Sequence, residues 1–247
     1  PICLGEATKF SSYLLNADKT YEGLIRLGYK SSTGDKEGEI VKQEFDKMPS
    51  KDLVNKALEN FVGSIEQLPP MFSALKHKGK RLYLYAREGI DIQRPKRKII
   101  IHEIELLDYQ GDELRLKIKC SKGTYIRTLA EDIGEKLNVG AYLLELNRTN
   151  IGSLSIDNAL KVEQIEKIKE PERCKLLLPV DELLSSFQKL VLNYDDSIAI
   201  KDGKVIEQGG KIPGFYRLYG DKNRFIGLGE IDKIGNLKAK RLISLKN

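Results

Sequence analysis

The sequence predicts an α+β protein: a mixed, largely antiparallel sheet with flanking helices, followed by a small all-β barrel. Three observations carry this reading. Residues 98–120 have a strand-like pattern, interrupted at Gln110-Gly111-Asp112-Glu113 in the manner of a hairpin turn. Apolar residues fall at helical spacing at Leu53, Ala57, Leu58 and Phe61, and again at Ile126, Leu129, Ala130, Ile133 and Leu137. Beyond residue 189, short strand candidates recur between glycines.

Each element follows in order. Pro1-Ile2-Cys3-Leu4 opens the chain without a methionine, in an apolar run that reads like the middle of an element, so upstream sequence is expected. A first strand covers residues 20–29. Ser50 is placed to cap the helix that begins near Leu53. Residues 67–79, with Pro69-Pro70 and several lysines, read as an ordered loop, and residues 80–88 as a short helix closed by Gly89. The long hairpin follows, then the helix from Ile126, which Asn138 to Gly140 should end. Composition shifts around residues 183–189, dividing the chain into domains 1–185 and 186–247. The second holds strand candidates at 189–193, 197–201, 215–219, 225–231 and 237–244.

The chain has 247 residues, with 42 Lys and Arg against 36 Asp and Glu, a net charge of +6 that favours a polyanionic partner. Three cysteines far apart predict neither a disulfide framework nor a metal site, and fit a reducing cytoplasm. There is no apolar run long enough for a membrane helix and no signal-type opening. No phosphate-loop motif occurs, and Gly227-Leu228-Gly229 lacks the third glycine of a dinucleotide fingerprint. His77 and His102 alone offer little to a metal site or a Ser-His-Asp triad.

What remains are aromatic and basic residues at element junctions. Lys19-Thr20-Tyr21 opens a strand, where Tyr21 is either a half-buried strand tyrosine or a ring for a ligand to lie against. Ser121-Lys122-Gly123-Thr124-Tyr125-Ile126-Arg127 turns a strand through glycine into a helix, a junction that lets backbone and side chains approach a substrate. There Arg127 either serves a site or pairs with Glu131 one turn along. The basic loop Lys76, Lys78, Lys80 and Arg81, followed by Tyr83, Tyr85 and Arg87, suits phosphate contacts and base stacking, or is a solvated charged loop. The run from Arg94 to Lys98 reads as solvated.

In this order, PICLGEATKF, KTYEGLIRLG, GDKEGEI, QLPPMFSALKHKGKRLYLYAREG, CSKGTYIRTLAEDIGEKL and GAYLLELNRTNIG resemble the bacterial tRNA pseudouridine-55 synthases over nearly the whole chain. The tail, with YRLYG, FIGLGE and KAKRL, resembles the small RNA-binding PUA domain that ends such enzymes. The resemblance implies a pseudouridine synthase fold and isomerisation of one uridine in the T arm of tRNA. The target base would be flipped into a pocket. No metal or organic cofactor and no membrane is implied, and the enzyme is expected to act as a cytoplasmic monomer without a protein partner.

Carried across, Tyr21 would stack on the flipped uracil, Tyr125 and Leu146 would shape the pocket, and Arg127 would hold and ionise a catalytic aspartate. The family's aspartate segment, Gly-His-Thr/Ala-Gly-Thr-Leu-Asp-Pro, does not occur and would lie just before Pro1, so no nucleophile is assigned and the chain alone is expected to be inactive. Asp35 matches an acidic loop position of the family, although Ser31-Ser32 stands where Thr-Asp is usual. The alternative is a non-catalytic tRNA-binding or tRNA-folding module, and a weaker one is a guide-RNA-dependent enzyme acting on ribosomal RNA. The compact length argues against the latter, and Arg127, which a pure binder has no need for, against the former.

Overall fold

The computed structural model describes residues 1–244. Contacts divide it into two compact units, one of Ala17–Ile151 and one of Pro1–Asn16 with the chain from Gly152 onward. A 3-10 turn (Gly5–Phe10) and helix α1 (Ser11–Asn16) open the chain and belong to the second unit.

The first unit contains β1 (Lys19–Leu27), β2 (Tyr29–Ser31), β3 (Ile40–Lys42), α2 (Lys51–Glu59), β4 (Gly63–Gln67), β5 (Lys76–His77), β6 (Lys80–Arg81), α3 (Leu82–Arg87), β7 (Arg97–Gln110), β8 (Glu113–Cys120), α4 (Ile126–Lys136) and β9 (Ala141–Ile151). Its main sheet runs β9-β1-β8-β7-β4, and these pairings are antiparallel. The hairpin turn predicted at Gln110 to Glu113 joins β7 to β8, with Gly111 at φ 59°. Along β8, Leu114, Leu116 and Ile118 are fully buried while Arg115, Lys117 and Lys119 are exposed, the period-2 pattern of a sheet with one covered face.

Helix α4 supplies Leu129, Ala130 and Ile133 to the core that this sheet face builds. Leu129 and Ile133, both fully buried, each contribute about 1.5–3 kcal/mol. Gly134 lets the helix back onto the start of β9: a Cβ there would lie 2.3 Å from the Ala141 amide nitrogen. The helix ends where the sequence places its end, with Asn138 at φ 57° and the amides of Val139 and Gly140 both bonded to the Gly134 carbonyl. Ser50 caps α2, accepting from the Leu53 amide at 3.4 Å.

The second unit continues through β10 (Leu154–Ser155), α5 (Val162–Glu166), α6 (Glu170–Arg173), β11 (Gln188–Val191), α7 (Tyr194–Lys201), β12 (Ile206–Glu207), β13 (Gly214–Tyr219), β14 (Phe225–Ile231) and β15 (Asn236–Leu242). Where a small barrel is expected, the described strands form a five-stranded sheet ordered β11-β13-β14-β15-β12. The expected strand at 197–201 is instead part of helix α7, so the region is not all-β. The Asn193 side chain accepts from the Asp196 amide at 2.7 Å, and this cap decides a segment too short for its apolar spacing to distinguish helix from strand.

Composition draws a boundary at 185/186, whereas contacts gather the first sixteen residues with those after 151. Phe10, fully buried, packs with Leu184 and Leu228 and meets the Phe225 ring at 5.9 Å.

Candidate active site

The site is built around the first turn of α4. Tyr125, half-buried, is its N-cap residue and makes no side-chain cap. Its backbone is instead held by Gln67 at the end of β4. The Gln67 carboxamide oxygen accepts from the Tyr125 amide at 2.8 Å, and its nitrogen donates to the Tyr125 carbonyl at 3.1 Å. Gln67 is only 1% exposed, and a buried amide of this kind is stable because both its ends are used.

Two residues on, Arg127 spreads its guanidinium over two loops. Nη1 donates to Asp35 Oδ2 at 2.7 Å and to the Thr33 carbonyl at 3.3 Å, and Nη2 donates to the Phe72 carbonyl at 2.6 Å. The i,i+4 partner weighed from the sequence, Glu131, is not its ion-pair partner; Asp35 is. Glu131 lies beneath Gly34, where a Cβ would come 3.1 Å from its carboxylate oxygen. Burial, and then the charge of Asp132, push the Glu131 carboxyl above its ordinary pKa.

Asp35 sits in a tightly bonded loop. Burial acts to raise its pKa, but hydrogen bonds from the Thr33 hydroxyl at 2.7 Å, the Glu37 amide at 3.1 Å and Arg127 prevail and hold it below the usual carboxylate range. The Ser31 hydroxyl donates to the Asp35 carbonyl at 2.5 Å, so the Ser31-Ser32 pair still ties this loop. The Leu143 amide bonds the Gly34 carbonyl at 3.0 Å, fastening the loop to β9.

Tyr21 and Leu146 lie on the central strands beneath. Tyr21 opposes Ile118 on β8 and Arg148 on β9, while Gly23 opposes Leu146. Residues directly opposite in an antiparallel pair share a face, so Tyr21, Gly23, Leu146 and Arg148 line one face. A Cβ on Gly23 would lie 3.4 Å from Leu143 and 3.8 Å from Ile126, which puts the first turn of α4 over this glycine. Leu143 and Ile126 close over the buried Gly23, while on the same face Tyr21 is half-buried and Leu146 is 47% exposed.

The basic segment forms a hairpin of β5 and β6, with Lys78 and Gly79 both at positive φ, the geometry of a two-residue turn. Lys76, Lys78 and Arg81 are exposed. Lys80 is committed to Glu88, at 2.6 and 2.7 Å from its two carboxylate oxygens, and stands 4.5 Å from the Tyr85 ring centroid. The hairpin is tied back to Arg127 through the segment after Pro70: the Tyr83 amide bonds the Ser73 carbonyl, next to the Phe72 carbonyl that Arg127 holds.

Sequence reasoning missed Gln67, because a clamp spanning 58 positions has no local pattern. It also gave no role to Arg148, whose place opposite Tyr21 depends on strand register. Among the described residues, no group of three or more His, Cys, Asp or Glu is placed to hold a metal, and no helix is long and apolar enough to cross a membrane.

Comparison with known proteins agrees with this architecture. Residues 1–126 match the N-terminal domain of TruB family pseudouridylate synthases, residues 127–185 a tRNA pseudouridylate synthase B C-terminal domain, and residues 189–243 the C-terminal domain of pseudouridine synthase II TruB. The tRNA pseudouridine synthase B of Methylobacillus flagellatus is 44% identical over 98% of this chain and 80% of its own length. That of Nitrosomonas europaea is 45% identical over 99% and 82%. Among solved structures, a Cbf5-Nop10-Gar1 complex superposes with a TM-score of 0.69 at 22% identity, covering 98% of this chain and 70% of the other; this shows the fold. The chain belongs to the TruB family of pseudouridine synthases.

Proposed function

We propose that this protein isomerises one uridine in the T arm of tRNA, uridine 55, to pseudouridine. The observation that carries the reading is that Tyr21 and Leu146 share the sheet face on which the first turn of α4 lies, the turn that also carries Tyr125 and the Arg127 clamp. In this reading the base leaves its stack, lies against the Tyr21 ring, and is walled by Tyr125 and Leu146. The bond from the ribose C1′ to N1 breaks and one to C5 forms, and the C5 proton is lost as N1 gains one.

The carboxylate nucleophile is assigned to a segment preceding Pro1. Arg127 is its partner, since a guanidinium favours the ionised carboxylate and fixes its direction. Asp35 is not that nucleophile: its oxygens are already occupied by Thr33, Glu37 and Arg127. Lys76, Lys78 and Arg81 supply phosphate contacts from the hairpin, and Lys80, bound to Glu88, steadies the hairpin beside them. The region 186–247 acts as a PUA-like RNA-binding module reaching tRNA outside the T loop. The chemistry needs no cofactor, and the enzyme works as a cytoplasmic monomer without a protein partner.

The test uses the present chain and the same chain preceded by the family's aspartate segment. The chain alone binds a T-arm hairpin without converting it, and the extended form produces pseudouridine, read by chemical labelling and reverse-transcription stops. Conversion by the chain alone would overturn the placement of the nucleophile. An extended form that binds tRNA and never modifies it would establish a non-catalytic binding module. Within the extended form, Tyr21→Leu should weaken RNA binding by about 1–3 kcal/mol through loss of the stacking face, while Tyr21→Phe retains most of the affinity.

A further inference from the structure

The pairing of β1 with β9 is irregular beside Tyr21. Thr20 opposes Asn150, but Tyr21 opposes Arg148, so Thr149 is passed over. The Thr149 hydroxyl bonds the Thr20 carbonyl at 3.3 Å. A bulge disrupts the ladder locally and re-aims side chains, which is why bulges gather next to active sites. Its effect here is specific. An unbroken register from Thr20 would set Thr149 across from Tyr21; the bulge sets Arg148 there instead, close enough for its charge to act on the Tyr21 phenol.

Further cations stand close by. Lys19 precedes Tyr21 by two positions on β1 and opposes Cys120, and Lys122 follows Cys120 by two. Lys19 donates to the Ala17 carbonyl at 2.6 Å. The charges sense one another: burial first, then Arg148, and more weakly Lys122, lower the Lys19 ammonium below its ordinary pKa. Cys120 and Asp18 act in the other direction, and Asp18 is shared with His102 at 3.1 Å. Gathering like charges at one end of β1 costs repulsion that an arriving anion relieves.

We infer that Arg148 is a substrate-positioning residue which, with Lys19 and Lys122, receives an RNA backbone phosphate next to the nucleotide whose base lies on Tyr21. The inference rests on the stacking role proposed for Tyr21 and adds the receptor for that nucleotide's backbone. Arginine suits both duties. Its planar fork presents several N–H donors, so one edge steadies the phenol hydroxyl while the other faces the phosphate. Lysine at this position would keep the charge and lose the second edge.

The test measures binding of T-arm hairpins to the chain across a salt series. The phosphate 5′ or 3′ of the target uridine is natural or replaced by a neutral methylphosphonate. One of the two replacements should lower the slope of log affinity against log salt by roughly 0.7 for the unchanged chain, the value for one single-strand phosphate contact. Arg148→Gln, which keeps a donor for the Tyr21 hydroxyl without the charge, should show the lowered slope with natural RNA and lose nothing further with the methylphosphonate. Arg148→Lys should keep the slope and bind more weakly. A purely structural role for Arg148 would leave slope and methylphosphonate penalty unchanged in Arg148→Gln, and that result overturns the inference. If the unchanged chain fails to distinguish the T-arm hairpin from an unrelated one, the proposed function falls and this inference with it.

Discussion

Replacing Gln67 tests whether the first turn of α4 is set from a distance. Gln67→Leu leaves the Tyr125 amide and carbonyl without the partners now at 2.8 and 3.1 Å. Two neutral hydrogen bonds, with incomplete recovery by water in a partly buried place, amount to about 2–4 kcal/mol. Gln67→Glu is the sharper perturbation. An ionised carboxylate accepts from the Tyr125 amide but cannot donate to the carbonyl, and at a position 1% exposed it carries the cost of a buried charge. The protonated acid donates and accepts as the amide does.

The introduced carboxyl should therefore titrate above its unfolded value of about 4.3. A raised folded pKa means that the folded state binds the extra proton between the unfolded and folded values. The loss of stability relative to Gln67 is then complete above the folded pKa and shrinks as pH falls towards the unfolded one. Urea unfolding followed by far-UV circular dichroism from pH 4.5 to 8 reads this directly, and the chain has no tryptophan to confuse it with a local probe. A deficit that does not change with pH, or Gln67→Leu as stable as the parent, would refute the clamp.

Asp132 has its carboxyl raised to about 6, first by burial and then by Glu135, against a relieving Lys96. The sign is again that of a raised acid, so its ionisation subtracts stability as pH rises from about 4 through 6. Asp132→Asn should flatten that slope and stabilise the protein at pH 8 by about 1–2 kcal/mol, as read from pH-dependent urea midpoints; a destabilised variant would contradict this. Arg127→Ala should let the Asp35 carboxyl titrate higher and speed amide exchange in both loops the guanidinium holds, residues 33–35 and 71–73, whereas fast exchange in one loop alone would mean that it clamps only that one. Gly134→Ala, with its Cβ 2.3 Å from the Ala141 nitrogen, should cost about 1–3 kcal/mol by forcing α4 off β9, measured by thermal unfolding.

Much of the first unit was legible in the sequence because its signals are local. The β7–β8 hairpin follows from alternation and turn composition, α2 from Ser50 and apolar spacing, and the end of α4 from Asn138 and Gly140, each fixed by the steric and hydrogen-bonding habits of a few consecutive residues. Tyr21, Tyr125, Arg127 and Leu146 stood out through family resemblance to motifs at element junctions. What depends on separated partners was hidden. The helix at 194–201 turned on a capping side chain, and the union of residues 1–16 with the C-terminal unit on the burial of Phe10 against Leu184 and Leu228.

The sequence by itself determined which side chains were available to the site and which local elements would carry them. Tertiary structure alone decided that Arg127 meets Asp35 rather than Glu131, that Gln67 holds Tyr125, and that a one-residue bulge sets Arg148 opposite Tyr21. Those pairings join residues distant in the chain, and their geometry is set by strand register and loop closure, which no single stretch of sequence encodes.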